Sequence, residues 1–343
     1  MRTPRAYFTP VVALAAAALI GCGGSSDSAG GDDETATSGD GARLSLVAYA
    51  VPKVGFDKVI PAFQKTPEGA GVTFAQSYGA SGDQSRKVES GLGADVVNFS
   101  VEPDVTRLVK KGVVDEDWNG DANEKGLAFG STVVIVVRKG NEKGIKTWDD
   151  LLKPGIEVVT PNPFSSGSAK WNLLAPFAEK SRGGKDPEAG LAFVEKLVKE
   201  HVKVQPKSGR EATETFLQGT GDVLLSYENE ALFLAEQGED VEHVTPPETF
   251  KIENPIAVLN NSKHPEVAKA FLAFNLSDAG QRLWAEAGFR PSKPELLKEF
   301  ADKFPEPDKL WTIDDLGGWG EVDATYFDPD KGSIAKIYDD ATG

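Results

Sequence analysis

Three short loops rich in serine and glycine carry the residues of this chain that are best suited to bind a ligand. They are Ser77 to Gln84, Thr160 to Asn172 and Ser208 to Ala212. Each leads into a segment with helical character, so its amides and hydroxyls stand at a predicted helix N-terminus. Free amides and the helix dipole favour an anion at that position. The alternative for each loop is an ordinary connection with a capping serine.

The second loop, which we call the serine loop, has the densest set of donors. Pro161 and Pro163 stiffen its start, and Ser165-Ser166-Gly167-Ser168 then lead into an apolar helical pattern. No carboxylate lies among these donors, and the Gly-Lys-Ser/Thr ending of a nucleotide-binding loop is missing. The serine loop therefore favours a small tetrahedral oxyanion over ATP or GTP.

Four further side chains beside the loops could take part. Arg86, Lys170 and Arg210 could touch an anion, but a charged residue near a helix start is more often solvated or bridges two parts of a molecule. Both roles stay open for these cations. Tyr227 ends a predicted strand and offers a phenol, which can both donate and accept a hydrogen bond.

Short strand-like runs alternate with amphipathic segments from Leu44 onward, which predicts an α/β fold with largely parallel sheets. The candidate strands are Leu44 to Tyr49, Val72 to Ser77, Val96 to Phe99, Thr132 to Val137, Ile156 to Thr160, Val202 to Gln205, Val223 to Tyr227 and Pro255 to Leu259. The candidate helices include Gln84 to Gly91, Val101 to Lys111, Ala169 to Ser181, Ala189 to His201 and Ala212 to Gln218.

The late position of the strand at Pro255 to Leu259 predicts two lobes rather than one. We expect the chain to leave the first lobe near Val133 and to return near Asn254, so that two crossings form a hinge. Residues 42–134 and 254–343 then form lobe one, and residues 135–253 form lobe two. A ligand cleft lies between such lobes, at the carboxyl ends of the strands. A single doubly wound sheet is the alternative.

The composition excludes several classes of function. The 343 residues include 37 Lys and Arg against 53 Asp and Glu, a net charge of −16 that argues against nucleic acid or an anionic membrane surface as partner. One cysteine and three histidines leave no cluster for a structural metal, an iron–sulfur centre or a disulfide. We expect no metal and no cofactor.

A serine hydrolase is the enzyme that these serines would allow. Such an enzyme needs a histidine base with an orienting partner. His201 and His243 lie in polar segments, His264 precedes a proline, and no Gly-x-Ser-x-Gly motif surrounds the serines. The sequence therefore predicts a binding protein and not an enzyme.

The N-terminus has the form of an export signal. Residues 1–21 combine Arg2 and Arg5 with an apolar run too short to span a bilayer. Leu19-Ile20-Gly21-Cys22 resembles a bacterial lipoprotein box, in which the thiol is acylated and the chain is cut just before it. Residues 22–41 lack aromatic and branched aliphatic side chains, apart from the threonines, and predict a flexible tether. Removal of residues 1–21 takes away two arginines and no acid, which makes the mature charge −18.

The serine loop resembles the signature loop of bacterial sulfate-binding proteins, the extracytoplasmic receptors of sulfate and thiosulfate ABC importers. The resemblance covers nearly the whole mature chain, although each motif outside the serine loop is weak alone. These motifs are Ala48-Tyr49, Tyr78-Gly79-Ala80-Ser81-Gly82, Ala94-Asp95-Val96-Val97, Val136-Val137-Arg138-Lys139-Gly140-Asn141, Trp148-Asp149-Asp150-Leu151, Gly221-Asp222-Val223-Leu224, Tyr227-Glu228-Asn229-Glu230-Ala231 and Thr312-Ile313-Asp314-Asp315 with Gly317-Gly318-Trp319.

This resemblance implies a type II periplasmic-binding-protein fold, in which two mixed sheets flanked by helices form two lobes that close on a dehydrated oxyanion. It implies a lipid-anchored monomer outside the cytoplasmic membrane that delivers its anion to ABC permease subunits. Neutral donors would hold the anion. Carried over by position, they are the amide of Ala50, Ser81, the hydroxyl of Ser166, the amides of Gly167 and Ser168, an amide at Gly209 or Arg210, and the side chain of Tyr227.

Four positions depart from the family pattern. Ala50 stands where many members have Asp and Ser168 stands where Gly is usual, and a backbone amide survives both changes. The third loop is one residue shorter, which leaves open whether Gly209 or Arg210 supplies the amide. Tyr227 replaces the Trp of the best-known members. Molybdate or tungstate is therefore the alternative ligand, and phosphate fits less well because its proton needs an acceptor.

Overall fold

The computed structural model of this chain describes residues 41–120 and 126–342. The predicted signal peptide, Cys22 and nearly all of the predicted tether lie outside the described residues. Across the two described ranges, no helix is both long and apolar enough to cross a membrane.

The described residues form ten strands and twelve α-helices. The strands are β1 (Arg43–Tyr49), β2 (Thr73–Gly79), β3 (Val96–Asn98), β4 (Leu127–Arg138), β5 (Val158–Val159), β6 (Val202–Val204), β7 (Val223–Tyr227), β8 (Val241–Val244), β9 (Glu248–Val258) and β10 (Lys309–Trp311). The helices are α1 (Lys53–Phe63), α2 (Ser81–Glu89), α3 (Glu102–Lys110), α4 (Gly167–Lys180), α5 (Pro187–Lys196), α6 (Gly209–Leu217), α7 (Glu228–Glu236), α8 (Pro265–Leu276), α9 (Asp278–Glu286), α10 (Pro294–Glu299), α11 (Trp319–Val322) and α12 (Ser333–Thr342).

The strands are joined in one hydrogen-bonded path of order β2-β1-β3-β9-β4-β7-β5-β6, with β10 beside β9 and β8 beside β4. Strands β1, β2 and β3 are parallel to one another, as are β5, β6 and β7. Antiparallel pairing joins these two groups to β9 and β4. The α/β fold class is confirmed, and the sheet is mixed.

The long strands β4 and β9 connect the two parallel groups. The first half of β4 pairs with β9 as far as Thr132, and from Val133 onward β4 pairs with β7. Strand β9 pairs with β4 through Pro255 and with β3 from Ile256 onward. Both changes of partner lie within two residues of the crossing points expected at Val133 and Asn254. The lobe boundaries themselves stay a prediction.

Helix α4 forms the centre of the second group. It is apolar around most of its circumference and nearly all of its side chains are buried, which is typical of a helix enclosed by other elements. The Trp171 ring packs edge-on against Trp319 at 4.7 Å between centroids, and Phe177 lies 4.8 Å from Tyr326. These contacts pack α4 against the C-terminal part of the chain.

The C-terminal part of the chain lies where the sequence did not predict it. Trp319 and Tyr326 pack on α4, and α12 packs on α5. Both α4 and α5 belong to predicted lobe two, whereas the prediction placed all of residues 254–343 in lobe one. The reason is that β10 joins β9 near its start, which directs the following aromatic residues onto α4.

Candidate functional site

The serine loop places its donors at the N-terminus of α4. Ser166 is the N-cap residue, and Gly167 and Ser168 begin the helix, so their amides have no partner within it. Asn162 shapes the loop, because its backbone oxygen accepts from the amide of Ser166 at 2.9 Å and its Oδ1 accepts from the amide of Phe164 at 2.8 Å. Within residues 41–120 and 126–342, the Ser166 hydroxyl makes no hydrogen bond. It is available as a donor.

The third loop is fastened to the serine loop. The amide of Asn162 donates to the Pro206 carbonyl at 2.9 Å, and the Ser165 hydroxyl donates to the Lys207 carbonyl at 2.8 Å. Ser208 caps α6, with its hydroxyl accepting from the amide of Glu211 at 3.2 Å. The N-termini of α4 and α6 are therefore held side by side.

Gly209 allows these two helix starts to approach. A Cβ atom at this position would lie 3.1 Å from Ser168 Oγ and 3.3 Å from Val51 Cγ2. Val51 directly follows Ala50, so the turn after β1 reaches the same point. The structure thus brings the turn after β1, Ser168 and Gly209 to one place.

The first loop forms hydrogen bonds within the protein that the sequence did not reveal. Ser81 begins α2, and its hydroxyl donates to Asp104 Oδ2 at 2.6 Å while accepting from the amide of Ser100 at 2.9 Å. That hydroxyl is therefore engaged within the protein. The next residue, Gly82, donates its amide to the carbonyl of Ser165 at 3.0 Å, which ties the first loop to the serine loop.

Tyr227 ends β7 and only 1% of its surface is exposed. Its phenol oxygen lies 2.6 Å from Ser100 Oγ. Burial raises the pKa of Tyr227 well above the usual value, and hydrogen bonding to Ser100, Ser168 and Asn254 offsets only part of the rise. The phenol is therefore protonated at neutral pH and keeps a hydrogen to donate.

Each cation that the sequence offered as a ligand contact has an acidic partner. Arg210 binds the buried Glu230 carboxylate at 2.9 Å, and Thr213 donates to the same carboxylate at 3.1 Å. Lys170 pairs with Asp323. Arg86 pairs with Asp83 and also donates to the Phe164 carbonyl at 3.2 Å, so it bridges the first loop and the serine loop. The positive charge of each of these three side chains is therefore compensated by a carboxylate.

A cavity of about 190 Å³ is lined by residues of the serine loop and the first loop, whereas Ala50, Ser168, Gly209 and Tyr227 do not line it. Ser166 and Gly167 line one side, and Gly82 and Asp104 line another. The space is large enough for a small anion. Asp104 is itself paired with Arg107 at 2.9 Å and does not add an uncompensated charge.

Two residues of the site were not assigned a role from the sequence. Ser100 follows β3, and no spacing or motif distinguishes it from other serines. Tyr49 precedes Ala50 and has a buried phenol without a hydrogen-bond partner among the described residues. Burial raises the pKa of Tyr49, and the neighbouring Tyr227 and Glu230 raise it further. Its position at the end of β1 was the only signal.

The histidines have other positions. His201 Nδ1 lies 3.1 Å from the Ile156 carbonyl, His243 belongs to β8, and His264 precedes α8. Among the described residues, no hydrogen bond joins a histidine to the serine loop. The serines thus lack the base that a hydrolase would use.

Comparison with known proteins agrees with this geometry. The model of the bacterial extracellular solute-binding protein family matches residues 44–290. A sulfate-binding protein of Synechococcus elongatus is 37% identical and spans 99% of this chain and 98% of its own length. A thiosulfate-binding protein of Pseudomonas aeruginosa is also 37% identical, over 86% of this chain and 92% of its own.

A comparison with a solved structure identifies the fold. The sulfate-binding protein SubI from Mycobacterium tuberculosis H37Rv is 60% identical, with a TM-score of 0.82 over 84% of this chain and all of its own. The type II periplasmic-binding-protein fold is thereby confirmed. A molybdate-binding protein of Mycobacterium bovis is more distant, at 27% identity. The chain therefore belongs to the bacterial extracellular solute-binding proteins, in the family of sulfate- and thiosulfate-binding proteins of ABC importers.

Proposed function

We propose that this protein captures sulfate, with thiosulfate as a second ligand, and delivers it to the permease of an ABC importer. The observation that carries the proposal is that three donor-rich loops lie against one another at their helix starts. The cations beside them, Arg86, Lys170 and Arg210, are each paired with a carboxylate. Helix N-termini and neutral hydroxyls stabilise a dianion without a permanent counter-ion. Such a site can also release its anion.

The ligand donors in this proposal are one hydroxyl, one phenol and a set of amides. Ser166 donates its hydroxyl and Tyr227 its phenol. Because the Ser81 hydroxyl already donates to Asp104, we assign the Ser81 amide to the ligand. The remaining donors are the amides of Ala50, Gly167 and Ser168 and one amide at Gly209 or Arg210.

The carboxylates near the site are already engaged within the protein, so they are not available to accept a hydrogen bond from a protonated anion. The site therefore favours a fully deprotonated anion. Phosphate keeps a proton at neutral pH and needs an acceptor for it. Asp104 accepts from Ser81 and Arg107, and Glu230 accepts from Arg210 and Thr213, so both carboxylates are already engaged. Molybdate resembles sulfate in charge and shape, and cavity size would separate them.

We infer that the protein is a receptor and not an enzyme, since no base accompanies the serines. In the proposed setting it works as a monomer outside the cytoplasmic membrane, held by a lipid on Cys22. The tether of residues 22–41 would let the folded part reach a permease in the same membrane.

Sulfate uptake in cells tests the importer role. Cells that lack this protein should lose uptake of labelled sulfate, and the native gene should restore it. The Cys22→Ala protein should take up no fatty-acid label and restore uptake less well. Unchanged sulfate uptake in the deletion strain would contradict the transport proposal, and fatty-acid labelling of Cys22→Ala would contradict the anchor.

A further inference from the structure

Ser100 lies where the elements of the site meet, and its backbone is fixed at three points. The indole of Trp171 and the side-chain Nδ2 of Asn254 donate to the Ser100 carbonyl at 2.8 and 3.0 Å. The Ser100 amide donates to Ser81 Oγ at 2.9 Å. Ser100 is 0% exposed. The position of the Ser100 side chain is therefore fixed by its backbone contacts.

That place is between Tyr227 and the start of α4. Ser100 Oγ lies 2.6 Å from the phenol oxygen. A Cβ atom on Gly167 would lie 2.8 Å from Ser100 Cβ and 2.9 Å from Ser100 Oγ. Ser100 thus packs directly on the first residue of the helix that presents the proposed ligand donors.

The short contact between two hydroxyls constrains their hydrogens. Only one of them donates within the pair, and the other accepts. If Tyr227 gives its hydrogen to Ser100, none remains for a bound anion. If Ser100 donates, the phenol hydrogen remains for another acceptor, which is Ser168, Asn254 or a bound anion. The phenol is then a stronger donor because it also accepts.

We propose that Ser100 is a positioning residue that donates to Tyr227 and so directs the phenol hydrogen to the anion. This inference rests on the proposed function of the site. It has a consequence for specificity, because a phenol oxygen that accepts from Ser100 is less available to accept from a protonated anion. Ser100 thereby disfavours hydrogen phosphate relative to sulfate.

A double-mutant cycle in the full chain tests this role by calorimetric titration with sulfate. Ser100→Ala should weaken sulfate binding about fivefold to tenfold, as expected for one neutral hydrogen bond. In the Tyr227→Phe background the same substitution should have no further effect, since Ser100 acts through the phenol. Ser226→Ala is the matched control, because Ser226 is a buried serine next to Tyr227 whose side chain points to the other face of β7.

The outcomes separate the inference from the proposed function. Absence of sulfate binding by the native protein would reject the function itself. If the native protein binds sulfate and Ser100→Ala binds it equally well, the role of Ser100 is wrong. An equal loss in the native and Tyr227→Phe backgrounds would mean a structural role and would also overturn it. A second titration with phosphate should show a higher ratio of phosphate to sulfate affinity in Ser100→Ala, and a lower ratio would contradict the inference.

Discussion

At the scale of single residues, the site depends on which hydroxyls are already engaged. Ser81 and Ser166 both begin helices and both looked like ligand donors in the sequence. The structure separates them, because Ser81 donates to Asp104 while the Ser166 hydroxyl has no partner among the described residues. Sequence spacing identified both positions but could not reveal Asp104, which lies 23 residues further along the chain.

Ser166→Ala should weaken sulfate binding about tenfold to a hundredfold, because a hydrogen bond to a charged group contributes about 1.5–3 kcal/mol. The fold should keep its melting temperature, since the Ser166 hydroxyl supports no other group. Calorimetric titration measures the first effect and thermal unfolding the second. Ser90→Ala, at the exposed C-terminal end of α2, is the control. An equal loss of affinity in both variants would show general damage.

At the scale of elements, the sequence predicted where helices and strands occur better than where they begin. The predicted strand at Val223 to Tyr227 matches β7, whereas α4 begins at Gly167 and not at Ala169. Glycine and serine are poor helix formers, so their propensity hides the first turn, which carries the proposed ligand donors. Strands β8 and β10 were not predicted, because they are short and only partly buried.

Gly167→Ala should disrupt the approach of α4 to Ser100, since the added Cβ would lie 2.8 Å from Ser100 Cβ. We expect a clear loss of sulfate affinity, of about tenfold or more, because overpacking at a buried contact typically costs about 1–3 kcal/mol. Gly93→Ala is the matched control, because a Cβ at the exposed Gly93 meets nothing within 4 Å. Retention of full affinity by Gly167→Ala would show that α4 does not need this close contact.

At the scale of the whole molecule, long-range electrostatics do not attract the ligand. Without the predicted signal peptide the chain would carry a net charge of −18, and charges beyond the Debye length of about 8 Å are screened at physiological salt. Affinity must therefore come from donors in direct contact with the anion. The α/β alternation was enough to predict the fold class, but the packing of the C-terminal segment on α4 depends on distant aromatic pairs that no local pattern indicates.

The most direct measurement is a calorimetric titration of the native protein with sulfate, thiosulfate, molybdate and phosphate, each at neutral pH. A site of neutral donors with engaged carboxylates predicts saturable binding of one sulfate per chain, binding of thiosulfate, weaker binding of molybdate and the weakest binding of phosphate. Tighter binding of molybdate than of sulfate, or heat from phosphate alone, would contradict the account.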